Sequence, residues 1–410
     1  MKILHTADIH LDSPLKSLAL RDESLQARVQ AATRMALTRI VDAALEHEVS
    51  ALLISGDLYD GAERSAKTAA FLSGQMERLQ KAEIPVFYIK GNHDAENPIT
   101  GEVALPENVH IFGACAGKVQ IADSPVWVHG VSFSGKHAPE SLLPKFAAPV
   151  PDAVNIAMLH TSLAGASGHD PYAPCSLAEL GTMGFDYWAL GHVHKRQVHG
   201  QNPWVVIPGI PQGRDIGEAG PQSATLIDID DGKVSIDVIP TSAVEFASVS
   251  VDCTGCTSDD DLRTLLRRSL SEFADQLTSD TAILRVTLTG ATPRHWQIRR
   301  DAETWTQSVQ DIALETGTVW VEKVSLDIKA ETSAPDTSAT GELQTLMTQI
   351  AQEDGFAASL EGEVESMLND LPPALRPDFA PNAEAVRTLA RELTEKGTAD
   401  ILARMKGAAD

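Results

Sequence analysis

The chain has 410 residues, more than one typical domain needs, and its 43% hydrophobic content is that of a globular protein with sizeable cores. Four cysteines are too few to staple it, no run of about 18 apolar residues offers a membrane span, and the start Met1-Lys2-Ile3-Leu4-His5 lacks a secretory layout; a cytoplasmic protein of two or three domains, not inserted in a membrane, is expected. With 33 basic against 57 acidic residues the net charge is −24, which repels polyanions at long range and weighs against a nucleic-acid substrate unless bound cations reverse the field locally.

In chain order, the pattern predicts a strand at Lys2–Ala7, then a helix at Glu23–Glu48 with Leu25, Val29, Ala32, Ile40 and Ala44 on its apolar face. A buried strand at Ala51–Ser55, a helix at Ser65–Leu79 and a strand at Ile84–Lys90 follow. Further β-rich runs fall at Val109–Gly113, Val126–Ser132, Val154–Leu159 and Tyr187–Leu190. Ala224–Ile229 and Lys233–Ile239 are expected to close an α/β layer fold over residues 1–243.

Residues 244–330 read as a small α+β domain, with helices at Asp259–Gln276 and Asp301–Glu315 and strands at Ala282–Leu288 and Val319–Ile328. Small, polar residues with a proline mark 331–342 as a linker. Residues 343–410 read as helical: Leu343, Leu346, Met347 and Ile350 share one face, Val364, Met367 and Leu368 a second, and Val386, Leu389, Leu393 and Ile401 a third, with Pro372, Pro373, Pro377 and Pro381 interrupting.

The chemistry sits where predicted strands end. Asp8-Ile9-His10 follows the first, and alternation on extended chain sends both polar side chains to one side. Gly56-Asp57 follows the second, with Gly56 allowing the tight turn that lifts Asp57 above the sheet edge. Gly91-Asn92-His93-Asp94 follows the third, His160 ends a fourth, and Gly191-His192-Val193-His194 ends a fifth. Two carboxylates, one amide and four imidazoles form an oxygen and nitrogen donor set without thiolates, sufficient for two cations if one carboxylate is shared. Any one motif has a bland reading as a turn former or a satisfied polar group; five at strand exits, in this order, do not.

This order of motifs resembles the calcineurin-like metallophosphoesterase superfamily over residues 1 to about 240. The resemblance implies a four-layer α/β/β/α metallophosphoesterase sandwich with a smaller α+β domain and a helical C-terminal region. It also implies two divalent metal ions, with manganese as the family expectation. Asp8, His10, Asp57 and His194 would hold the first ion, and Asp57, Asn92, His160 and His192 the second. His93 would be the catalytic histidine, with Asp94 orienting it.

Leu4-His5-Thr6-Ala7-Asp8-Ile9-His10-Leu11-Asp12, together with Gly56-Asp57-Leu58-Tyr59-Asp60, is similar to the DNA repair exonuclease branch of that superfamily, SbcD-like and YhaO-like. In that branch the substrate is DNA, the partner is an SMC-like coiled-coil ATPase docked on C-terminal helices, and the catalytic domain forms a homodimer. His169, Asp170 and Arg214 lie in stretches most similar to the YhaO-like members and are candidates for substrate contact, against a surface loop or a plain salt bridge.

Two other readings stay open. One is a phosphatase or phosphodiesterase for nucleotides or other small phosphoesters, which the acidic balance favours. The other is a binding scaffold with a vestigial metal site, which the complete ligand set opposes. Cys253-Thr-Gly-Cys256 has metal-like or redox-like spacing without a second pair, and a structural role is expected for it.

Overall fold

The alternation along the first strands decides the layering. In a computed structural model, which describes residues 1–15, 23–60, 65–96, 105–163, 172–331, 338–373 and 375–406, β1 (Lys2–Thr6) and β2 (Ala51–Ser55) are buried on both faces. Leu4, Leu52 and Ile54 join one hydrophobic cluster, and Ile3, Ala51 and Leu53 join another. A strand apolar on both sides belongs in the middle of a layered fold.

The first sheet has the order β12–β11–β1–β2–β3–β4, with β3 at Val86–Ile89, β4 at Val109–Ile111, β11 at Ser223–Asp230 and β12 at Lys233–Pro240. Its strands β1 to β4 are parallel, and β11 runs antiparallel to β1 in the register Ile3↔Ile227. The second sheet has the order β5–β6–β7–β8–β10–β9, with β5 at Gly117–Gln120, β6 at Val126–Gly130, β7 at Val154–His160, β8 at Tyr187–Gly191, β9 at Gln197–His199 and β10 at Trp204–Ile207. Strands β6, β7, β8 and β10 are parallel.

Between the sheets lies a core that includes Ile3, Leu53, Phe87, Ile89, Val128, Ile156, Met158, Tyr187 and Ala189. Helices α1 (Glu23–Glu46) and α2 (Ala66–Lys81) pack Leu37, Ile40, Leu72 and Met76 with Leu4, Leu52 and Ile54 on the outer face of the first sheet. Leu159, Trp188 and Leu190 on the second sheet pack with Leu143, Leu180 and Phe185, and Leu180 belongs to α4 (Leu177–Thr182); α3 is the short Asn92–Glu96 helix that begins within the Gly91–Asp94 motif. The α/β/β/α order implied by the resemblance is the one observed. The short strands β5 and β9 went unread because they are three or four residues long and lack apolar alternation.

This first compact unit comprises Met1–Ser248 with Ala274–Leu284 and Thr318–Glu322; a second gathers Val249–Phe273, Arg285–Gly317 and Lys323–Asp410. Strands β13 (Val244–Asp252), β14 (Thr281–Ala291) and β15 (Val319–Lys329) form a three-stranded sheet. Helix α5 (Asp259–Asp275) buries Leu262, Leu266 and Leu270, one turn apart, and α7 (Ala302–Leu314) buries Trp305, Val309 and Ile312.

Cys253 and Cys256 stand at the ends of a type II turn, closed by a 3.0 Å bond from the Cys256 N–H to the Cys253 carbonyl, with Gly255 at φ +79° supplying the conformation the third position requires. Burial pushes the Cys253 thiol up to about 12, and among the described residues neither thiol joins a cluster spaced to hold a metal.

In the second unit, α11 (Ala383–Lys406) contacts α6 (His295–Arg300), α8 (Ala339–Ala351) and α9 (Asp354–Asn369), with α10 (Arg376–Phe379) preceding it. Val364, Val386 and Ala390 form the small core of this bundle. Leu346, Leu393 and Ile401 stay exposed. Among the described residues, no helix is long and apolar enough to cross a membrane.

Candidate metal centre

Parallel strands deliver their C-terminal ends to one edge of the sandwich, and the polar motifs follow those ends. The first two motif loops are stitched together: Asp8 N–H bonds to the Gly56 carbonyl at 2.9 Å and His10 N–H to the Asp57 carbonyl at 3.0 Å. Asp8 takes the His192 N–H at 2.9 Å, and Asp57 takes the His93 N–H at 3.0 Å. Asp8, His10, Asp57 and His160 are almost fully buried.

All seven expected ligands converge. Asp8, His10 and His194 offer donor atoms within 4.8 Å of one another, and so do Asp57, His160 and His192. Asn92 Oδ1 lies 3.1 Å from His160 Nε2, which is 3.3 Å from Asp57 Oδ2.

Three observations test whether cations fit here. First, His10 Nε2 and His194 Nε2 face each other at 3.2 Å, while His10 Nδ1 faces the Asp60 carboxylate at 3.5 Å and His194 Nδ1 faces Glu218, which leaves both Nε2 lone pairs turned to the centre. Second, the far ring nitrogens are fixed: His160 Nδ1 donates to the Ser55 carbonyl at 2.9 Å and His194 Nδ1 to Glu218 Oε1 at 2.6 Å, which turns each Nε2 to the centre. Third, Asp8, His10, Asp57 and His192 stand in left-handed backbone, with φ of 52°, 44°, 50° and 93°, a strain that structures hold at functional sites. A β-carbon at Gly56 or Gly91 would strike the His160 ring, so these glycines clear the space that the ring occupies. The donor set fits two hard-to-borderline cations.

Electrostatics agree. Burial raises Asp8 against the pull of its histidine neighbours. For Asp57 burial is outweighed by His160, His10 and His93, and the carboxyl lies below its usual range. Burial alone would lower His160, yet the Asp57 and Asp8 carboxylates hold it up to about 9. Metal-free His160 is therefore protonated at neutral pH, and a cation must displace that proton. Metal uptake near pH 7.5 should release a proton at this histidine, and apparent affinity should rise with pH until about 9, a linkage that calorimetry in buffers of different ionisation enthalpy reads directly.

The catalytic pair needs one correction. Asp94, expected to orient His93, instead commits one carboxylate oxygen to the Leu58 and Tyr59 N–H groups and the other to the Gly91 N–H, at 2.9 to 3.0 Å, knitting two motif loops together. Burial and the Asp57 charge raise it to about 6. The carboxylate beside His93 is Asp60, 3.7 Å from Nδ1 and 3.5 Å from His10 Nδ1, held down to about 2 chiefly by His10. Asp60 stood in the motif read from the sequence, but nothing in its spacing assigned it a role.

Glu218 was also missed. It lies in a three-residue 3-10 turn, 24 positions after His194, where no motif points. Burial opposes its charge, yet His194 and Arg214 hold it down to about 2. Arg214 is committed to that carboxylate, with Nη2 2.8 Å from Oε1, so its salt-bridge reading is the one observed. His169 and Asp170 lie outside the described residues. Glu218→Gln should weaken binding of the ion at His194 by about ten- to a hundred-fold, as measured by manganese titration, because it removes the charge behind a ligand imidazole.

Such a site, on two packed sheets with helices outside, defines a metal-dependent phosphoester hydrolase. The sequence profile of calcineurin-like phosphoesterases matches residues 1–196, and that of the middle domain of metallophosphoesterase YhaO matches residues 246–329. The chain is 32% identical over 302 residues to the uncharacterized metallophosphoesterase YhaO of Bacillus subtilis, covering 72% of each chain. It is 28% identical over 204 residues to the DNA double-strand break repair protein Mre11 of Saccharolobus solfataricus, covering 48% of this chain and half of that relative. Among solved structures, a dimetal phosphatase from Danio rerio aligns with 59% of this chain and 99% of its own at 12% identity and a TM-score of 0.36. The chain belongs to the calcineurin-like metallophosphoesterase family, in its YhaO-like branch. It is a hydrolase, and its family uses a dimetal centre.

Proposed function

We propose that this hydrolase is a metal-dependent DNA phosphodiesterase of the double-strand-break repair nuclease type, using two manganese ions. The observation that carries the reading is the pair of ligand groups, Asp8/His10/His194 and Asp57/His160/His192, with His93 beside them and outside both. The likeness to the Mre11 repair protein over 48% of the chain supports DNA as substrate.

Asp8, His10 and His194 would hold one divalent cation and Asp57, Asn92, His160 and His192 the other, and the pair would supply Lewis-acid charge at the phosphate and lower the pKa of a bound water. The chain's own part is positional. Asp57 belongs to the second ligand group and feels the charge of His10 in the first, and its Oδ1 anchors the His93 backbone. The His93 ring packs edge-on against His10 at 4.9 Å and is partly exposed. With Asp60 at Nδ1, Nε2 is the atom left to give a proton to the departing alkoxide.

The exposed Leu346, Leu393 and Ile401 on the C-terminal helices support an SMC-like ATPase as partner, with residues 244–330 as an accessory domain. The net charge of −24 favours the second reading, a phosphodiesterase for small phosphoesters. Hydrolysis of end-labelled linear DNA and of a small aryl phosphodiester by metal-stripped protein, with and without manganese, separates them. Manganese-dependent DNA cleavage supports the nuclease; turnover of the small ester alone overturns it.

A further inference from the structure

Where the core between the sheets meets the ligand cluster, it changes from apolar to polar. On the inner face of β1, Ile3 is followed by His5, and on that of β2, Leu53 is followed by Ser55. Opposite them on β8 stand Tyr187 and Ala189.

The Tyr187 hydroxyl lies 3.0 Å from His5 Nδ1, His5 Nε2 lies 3.1 Å from Ser55 Oγ, and Ser55 Oγ donates to the Ala189 carbonyl at 2.9 Å. The single hydroxyl hydrogen of Ser55 is spent on Ala189, so Ser55 accepts from His5 Nε2–H. His5 Nδ1 is then the acceptor, and Tyr187 donates to it. All three side chains are fully buried, and burial together with the nearby Arg196 lowers His5 to about 3, so the chain of bonds is neutral and closed.

We propose that Tyr187, His5 and Ser55 are positioning residues: a polar strut between the two sheets that sets the separation of the two ligand groups. The inference rests on the dimetal reading of the site. Asp8 comes three residues after His5, Asp57 two after Ser55, and His192 three after Ala189. The Ser55 carbonyl also holds the His160 ring by Nδ1. Each end of the strut thus sits just upstream of ligands to both ions.

Apolar contact between sheets is non-directional and tolerates sliding. Hydrogen bonds fix distance and angle, and a pair of ions about 3.5–4 Å apart tolerates little error. The sheets also approach closely here, since a β-carbon at Gly191 would strike the Ser55 carbonyl. A polar network in an apolar core adds geometric definition more than stability.

The test is manganese titration by calorimetry on the full chain carrying Tyr187→Phe or Ser55→Ala, beside thermal melting. Val128→Ala, in the same inter-sheet core but outside the strut, is the control for lost stability. The strut predicts about tenfold or greater loss of manganese affinity in Tyr187→Phe and in Ser55→Ala, with affinity kept in Val128→Ala although its melting temperature falls. The double variant should lose little more than the worse single one, because both break one chain of bonds. Unchanged affinity in both strut variants, or equal loss in Val128→Ala, overturns the proposal. Wild-type protein that binds no pair of ions overturns the dimetal reading instead.

Discussion

His93→Ala is expected to lower turnover of phosphodiester substrate by about a hundred- to ten-thousand-fold while manganese stoichiometry and affinity stay at wild-type values. The expectation follows from the place of the side chain. Its backbone N–H is tied to Asp57, but its ring belongs to neither of the groups centred on Asp8 and Asp57. A proton donor that is not a ligand should be lost from the rate and not from the metal inventory. The ring does share a third cluster with His10 and Asp60, so the alternative is concrete: loss of a bound ion in His93→Ala would make it a ligand and sink the donor role. Activity with a substrate whose leaving group needs no proton, such as a nitrophenolate, should be the least affected.

An effect of the same order, but reaching metal binding as well as rate, is expected of Asp57→Asn. The change keeps the shape and removes the charge of a buried carboxylate that lies 3.3 Å from His160 and also feels His10 of the other ligand group. Charge stabilisation by bound cations is worth several kcal/mol, and each ~1.4 kcal/mol is a factor of ten, so activity should fall about a thousandfold or more. Binding should drop below two ions per chain, as read by metal analysis after gel filtration. In the metal-free chain His160 would lose the partner that holds it up, and it should titrate well below about 9, which histidine proton resonances followed against pH would show. Two ions still bound at wild-type affinity would rule Asp57 out as a carboxylate shared by the two ions.

Much of this was legible in the sequence because strand exits are marked there. A run such as Ala51–Ser55, apolar on both faces, followed by Gly56-Asp57, announces a buried strand and a turn in the same few residues. The seven candidate ligands were readable for that reason. Glu218 was not, since its bond to His194 depends on how a short turn folds back across 24 residues. Nor was the true task of Asp94, whose carboxylate serves backbone groups that sequence patterns do not display. His5 looked like one more residue of a strand; its value appears only when the second sheet brings Tyr187 to it. The helix at Leu177–Thr182 carried a readable signal that went unused, the Ser176–Glu179 capping box.

The left-handed backbone at Asp8, His10, Asp57 and His192 narrows the alphabet of this site twice over. Donor chemistry alone would admit glutamate for aspartate or glutamine for histidine. The dihedral angles favour aspartate, asparagine and histidine and penalise β-branched and most longer side chains. Single substitutions that preserve coordination while changing reach are therefore nearly closed to drift. New specificity in such an enzyme has to be acquired in the surrounding loops, while the centre itself is either kept whole or lost.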